Sequence, residues 1–144
     1  MRKMLYAGSF RPFTTGHKDI ADRALALCDE LVIAIGLNPD KPEEHIDERV
    51  RTIQKVYAGD NRVQVVTYTG LTCELARELG ACALVRGVRG VIDFDYERNL
   101  ADANKMLTGI ETVLLLADPK LAAVSSSLVR ELQRHGADTS EFIP

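Results

Sequence analysis

Five apolar runs, at residues 4–7, 31–36, 63–68, 82–85 and 112–116, punctuate a chain of 144 residues. Runs such as Leu31-Val32-Ile33-Ala34-Ile35, continuous and rich in β-branched residues, suit parallel strands covered on both faces. Between them, apolar positions recur at helical spacing. Ile20, Ala21, Ala24, Leu25 and Cys28 mark a first helix that begins at Gly16 or His17, with Thr14 or Thr15 able to cap it. Asp47 is the expected cap of a second helix, whose inward face carries Val50, Ile53 and Val56. A short helix over 72–79 ends at Gly80 in the C′ position. A longer one over 93–107 is expected to turn Phe94, Leu100, Ala103 and Leu107 inward. The last opens at Ser125-Ser126-Ser127, runs to Gln133 and is closed by Gly136.

This alternation predicts an α/β fold: a single Rossmann-like, doubly wound domain over 1–144, built on a five-stranded parallel sheet with right-handed crossovers. In such sheets ligands sit beyond the carboxyl ends of the strands. The loops expected there span residues 8–16, 37–46, 69–71, 86–90 and 117–124.

Composition narrows the class. Hydrophobic residues at 46% predict a globular chain with a substantial core. A net charge of −3 argues against an extended nucleic-acid surface, so no nucleic-acid partner is expected. Cys28, Cys73 and Cys82 show no CxxC spacing and read as reduced thiols of a cytosolic protein. After Met1-Arg2-Lys3 too few apolar residues follow for a signal peptide, and no run approaches the roughly 20 residues of a membrane span. The expected location is cytoplasmic, with no membrane partner.

The first loop, Gly8-Ser9-Phe10-Arg11-Pro12-Phe13-Thr14-Thr15-Gly16-His17, carries the densest chemistry. It matches neither GxGxxG nor GxxxxGK[ST]. It is a strand-to-helix turn with glycines for close backbone approach and a helix start that favours an anion. His17 there either caps and packs or donates to a phosphoryl oxygen. The positive helix end should lower its pKa and keep it neutral. Arg86-Gly87-Val88-Arg89 offers two guanidinium groups for phosphate. Lys41 lies between prolines in a loop at the same sheet edge. One serine of Ser125-Ser126-Ser127 suffices for an N-cap, leaving two hydroxyls for another role. Asp93 complements the next helix dipole, and Glu97 or Asp95 could receive a ribose or an adenine amino group. His17, His45 and His135 show no metal spacing, and no GxSxG elbow is present, so no metal is expected on protein side chains.

Taken in order, Gly8-Ser9-Phe10-x-Pro12-x-Thr14-x-Gly16-His17, the Lys41 loop, Arg86-Gly87-Val88-Arg89, Asp93-Phe94-Asp95-Tyr96-Glu97 and Val124-Ser125-Ser126-Ser127-Leu128-Val129-Arg130 cover essentially the whole chain. This set resembles the bacterial phosphopantetheine adenylyltransferases, of the nucleotidyltransferase superfamily marked by a His/Thr-x-Gly-His motif. The resemblance implies an enzyme that joins ATP and 4′-phosphopantetheine to give dephospho-coenzyme A and pyrophosphate, with Mg²⁺. It implies His17, Lys41 and Arg89 as catalytic residues. ATP would meet Ser9, Phe10, His17, Gly87, Val88, Arg89, Glu97, Leu121, Ala122, Ala123, Val124, Ser125, Ser126 and Ser127. Ser9, Lys41, Thr72 and Arg86 would hold phosphopantetheine. It further implies a homohexamer and coenzyme A as a feedback ligand. Two alternatives share these residues: a related nucleotidyltransferase acting on another phosphate, and a non-catalytic coenzyme A or nucleotide-binding protein.

The implied chemistry fits the residue set. The substrate phosphate is its own nucleophile, with a second pKa of about 6. No protein nucleophile or strong base is needed, and catalysis reduces to positioning and charge stabilisation. The chain departs from the family's usual Pro-Gly-Thr-Phe-Asp-Pro, reading Ala7-Gly8-Ser9-Phe10-Arg11-Pro12, and lacks an aromatic residue just before its serine run.

Overall fold

A computed structural model describes residues 1–40 and 45–144. Its strands are β1 (Lys3–Gly8), β2 (Glu30–Gly36), β3 (Val63–Tyr68), β4 (Ala83–Val88) and β5 (Glu111–Leu116). Its helices are α1 (Thr15–Leu25), α2 (Ile46–Val56), α3 (Thr72–Glu78), α4 (Val91–Thr108) and α5 (Ser126–Arg134). A 3₁₀ turn, Ser140–Phe142, follows. The sheet order is β3-β2-β1-β4-β5, every pair parallel, as the β-branched runs predict.

The pleat of β1 divides the core. Met4 and Tyr6 pack with Leu31, Ile33 and Ile35 of β2 against Ile20, Ala21 and Ala24 of α1 and Ile53 of α2. Leu5 and Ala7 pack with Val32 and Ala34 against Ala76 of α3 on the opposite face. The crossovers from β1 to β2 and from β1's other neighbour β4 leave in opposite directions along the sheet. The carboxyl ends of β1 and β4 therefore part at a topological switch point, where such folds open a crevice.

Three expectations are corrected. β4 continues through Arg86-Gly87-Val88, which the sequence placed in a loop, because Arg86 pairs with Leu114, Gly87 with Leu115 and Val88 with Leu116. The N-cap position of α2 is His45, in the left-handed conformation and with no side-chain cap bond, and Asp47 lies inside the first turn, complementing the dipole. α4 is rotated from its predicted face: Glu97 and Asn104 are 6% and 8% exposed, whereas Phe94 and Leu107 are 47% and 59% exposed. Glu97 turns inward because Arg86, a half-buried arginine on β4, receives it. No helix among the described residues is long and apolar enough to cross a membrane.

Candidate active site

A cavity of about 300 Å³ opens at the switch point. Tyr6, Ala7 and Gly8 of β1, the loop after it, the start of α1, Arg86 and Gly87 of β4, and the segment leading into α5 line it.

The loop is held from several sides. Gly8 is required for space: a Cβ there would meet the Phe10 ring at 3.1 Å. Phe10 takes φ +47°, rare for a side-chain-bearing residue, and its ring is 2% exposed. That ring meets Tyr6 edge-on at 5.1 Å, Phe13 at 5.5 Å and His17 at 5.0 Å between centroids. From α2, Arg49 Nη1 donates to the Ser9 carbonyl at 2.8 Å. From α5, Ser126 Oγ donates to Pro12 O and Arg130 Nη1 to Arg11 O, both at 2.7 Å.

Thr14 caps α1, and the cap fixes the chemistry of His17. The Thr14 hydroxyl accepts from His17 N–H at 3.3 Å, and His17 Nδ1 accepts from Thr14 N–H at 2.9 Å. An Nδ1 that accepts from an amide must be unprotonated, so the proton of the neutral ring sits on Nε2. The ring lies parallel to Phe13, 5.6 Å between centroids with 20° between planes. Burial first, then the Arg89 and Arg86 charges, lower its pKa from the usual 6.5 to about 4. The sequence points to the helix end for this shift; the structure supplies burial and the two arginines as its causes. Capping and donation are thus compatible: one nitrogen does each.

Two of the cavity's arginines, Arg86 and Arg89, are matched to carboxylates. Arg86 Nε and Nη2 donate to the two Glu97 oxygens at 2.8 and 2.7 Å, and Nη1 donates to Ala7 O at 2.5 Å. Arg89 Nε donates to Asp93 Oδ2 at 3.0 Å. Asp19, which lines the cavity, is held from outside the lining by Arg23, whose Nη1 donates to its Oδ2 at 3.0 Å and also to Leu116 O. Arg130, which also lines the cavity, donates to Arg11 O and to Ser127 Oγ at 3.2 Å. Nearby Arg11 and Arg134 charges, after burial, pull its pKa below the ordinary arginine value.

Most of the sequence-predicted residues converge here. Ser9, Phe10, His17, Arg86, Gly87, Arg89, Glu97, Leu121, Val124, Ser125, Ser126 and Ser127 all line the cavity. The serines divide their work. Ser125 caps α5 by accepting from Leu128 N–H at 3.1 Å, Ser126 ties the first loop, and Ser127 meets Arg130. Val88, Ala122 and Ala123 are not among the lining residues. Thr72 lines a smaller adjoining cavity with Leu5, Leu100 and Asn104, joined to the first through Ala7 and Arg86. Its hydroxyl bonds Tyr68 at 2.7 Å. Lys41 lies outside the described residues. Sequence reasoning missed Tyr6, Asp19, Asn104 and Asp118, and did not give Arg49 or Arg130 a place in the site. Asn104 could have been found from its spacing, seven residues after Glu97 on one helix face.

Comparison with known proteins places these features in context. Residues 5–132 match the model of the cytidylyltransferase-like family. The phosphopantetheine adenylyltransferase of Porphyromonas gingivalis is 52% identical over 97% of this chain and 92% of its own. That of Bacteroides thetaiotaomicron is 44% identical over 100% of this chain and 96% of its own. Among solved structures, a bifunctional NMN adenylyltransferase/ADP ribose pyrophosphatase from Francisella tularensis superposes with a TM-score of 0.71. It is 13% identical and covers 99% of this chain and 44% of that one, a likeness of fold.

Proposed function

Because the chain belongs to the phosphopantetheine adenylyltransferases, within the cytidylyltransferase-like family, we propose that the switch-point cavity is where its two substrates meet. It is a nucleotidyltransferase of coenzyme A biosynthesis and moves the adenylyl group of ATP onto 4′-phosphopantetheine. A phosphate oxygen of phosphopantetheine forms a bond to the α-phosphorus of ATP. The bond from that phosphorus to the bridging oxygen breaks, and pyrophosphate leaves with the electron pair.

The observation that carries the site assignment is the His17 tautomer. A neutral imidazole with Nδ1 committed to Thr14 and a proton on Nε2 can donate but has no reason to act as a base. His17 Nε2–H stabilises charge on the transferring phosphoryl group. Ser9 and Phe10 meet the α-phosphate region, and Arg89 with Ser125, Ser126 and Ser127 holds the rest of the ATP phosphates. Arg86, oriented by Glu97, and Thr72 with Lys41 hold phosphopantetheine. Gly87 and the segment at Leu121 and Val124 bound the nucleotide side.

Among the described residues no cluster of three metal-ligating side chains occurs, and Asp19, Asp93 and Glu97 are committed to arginines. Arg89 and the serine run would hold the ATP phosphates that carry Mg²⁺, and the ion would supply neutralisation of the leaving pyrophosphate. A cytoplasmic homohexamer with coenzyme A as feedback ligand completes the proposal. The exposed apolar side chains Val91, Ile92, Phe94, Met106 and Leu107 on α4 and Leu116 on β5 support self-association.

A pyrophosphate-release assay across a panel of phosphates tests the reading. Release is expected with ATP, Mg²⁺ and phosphopantetheine, and not with glycerol phosphate or nicotinamide mononucleotide. Release with another member of the panel alone would reassign the substrate. Coenzyme A binding without any release would make the chain a binding protein.

A further inference from the structure

Arg49 on α2 carries a charge, yet it is 8% exposed and reaches across to the first loop. Its Nη1 holds the Ser9 carbonyl at 2.8 Å from the side of α2, away from the cavity that Ser9 and Phe10 line. The Ser9–Phe10 peptide is trans, since among the described residues the cis bond is Arg11–Pro12. In a planar trans peptide the C=O and N–H point in opposite directions. Drawing the Ser9 oxygen toward α2 therefore turns the Phe10 N–H toward the cavity. That N–H has no hydrogen-bond partner among the described residues.

Phe10 also sits at φ +47°, a conformation that persists only where the surroundings over-determine it. The aromatic packing of its ring supplies one restraint, and the Arg49 bond supplies the other, directly on the preceding carbonyl. A buried backbone donor left open beside a neutral imidazole donor is the arrangement of an oxyanion site.

We propose that Arg49 is a positioning residue: by holding the Ser9 carbonyl it keeps the Phe10 N–H aimed into the cavity as a second donor to the transferring phosphoryl group. The inference rests on the adenylyl-transfer reading above. Arg49 itself touches neither substrate.

Three measurements on the full chain test it. The first is steady-state kinetics of Arg49→Met and Arg49→Lys. Arg49→Met should lower kcat about tenfold to a hundredfold, somewhat less than loss of a side-chain oxyanion donor, with KM for phosphopantetheine unchanged. Arg49→Lys, which retains a cationic donor for the Ser9 oxygen, should recover most of that loss. The second is thermal melting, on which the two variants should not differ in the way their kcat values do. The third uses ¹⁵N-phenylalanine labelling, which gives four amide signals in this chain. In the wild type the Phe10 amide should shift on adding α,β-methylene-ATP, and in Arg49→Lys it should shift likewise. A wild-type Phe10 amide that ignores the nucleotide overturns the proposal, even if Arg49→Met fails to fold. So does a kcat loss that tracks melting temperature with no recovery by lysine. Absence of pyrophosphate release by the wild type would instead refute the adenylyl-transfer reading, while the amide response still reports on the loop.

Discussion

His17 has two nitrogens with separate duties, and two substitutions separate them. His17→Asn places an amide oxygen where Nδ1 stands, so the acceptor for Thr14 N–H, now at 2.9 Å, survives while the distal donor is lost. His17→Gln places an amide nitrogen near Nε2 and, so placed, gives up the bond from Thr14 N–H, while the Thr14 hydroxyl still accepts from the backbone N–H of residue 17. Both lose the ring that stacks on Phe13 and meets Phe10 edge-on, contacts worth about 0.5–1.5 kcal/mol each. With its amide nitrogen in the Nε2 place, His17→Gln additionally leaves Thr14 N–H without its acceptor, at a cost of about 1 kcal/mol. Asparagine should therefore be the more stable variant. Turnover should run the other way. Losing an oxyanion donor costs about 10²–10³ in kcat, so His17→Asn should fall by that factor. His17→Gln, keeping a misplaced donor, should fall about tenfold. The assay is pyrophosphate release with ATP and phosphopantetheine saturating, beside urea denaturation of each variant. Equal turnover in the two, or a faster asparagine variant, would refute the division of labour and leave His17 as a structural cap. A plain His17→Ala would not distinguish them, since the structure has it removing cap, packing and donor together.

Other consequences follow from the same geometry. The His17 pKa of about 4 lies below its ordinary 6.5, so the unfolded chain takes up this proton first as pH falls. Stability from this group is complete above about pH 6.5 and is lost toward pH 4, about 3 kcal/mol in all; the pH dependence of unfolding should shrink accordingly in His17→Asn. Glu97→Gln leaves the Arg86 guanidinium without its carboxylate in a largely buried position, and should cost about 3 kcal/mol by chemical denaturation. In Gly87→Ala a Cβ would stand 3.0 Å from Ile20 Cγ1, and Ile20 is only 4% exposed. The variant should lose about 1–3 kcal/mol on a urea curve, with unchanged stability contradicting the close β4–α1 packing.

Much of this architecture was legible in the chain. Strand runs and helix periods depend on burial of apolar side chains, which the sequence states directly, and so the parallel sheet and its order of elements emerge from it. The first loop, Arg86, Arg89 and the serine run were legible because polar residues at the carboxyl ends of strands have few structural reasons to cluster. What stayed hidden depends on pairing between distant segments. The period of α4 favours Phe94 and Leu107 as inward residues, but Arg86 on β4 draws Glu97 inward instead. The extent of β4 was set by its register with β5, and no local signal in Arg86-Gly87-Val88 announces it. Nothing local marks Arg49, whose partner, the Ser9 carbonyl, lies 40 residues away in the chain. Asp47 has the right residue type for a cap, yet the helix begins one residue earlier, at Ile46.

The central claim is that the protein positions two phosphates and forms no covalent bond to either. The stereochemical course at the α-phosphorus tests it most directly. With ATP carrying a chiral α-phosphorothioate and phosphopantetheine as acceptor, a single in-line displacement predicts product with inverted configuration at phosphorus. Retention would mean two displacements through an adenylylated side chain, and would contradict the account.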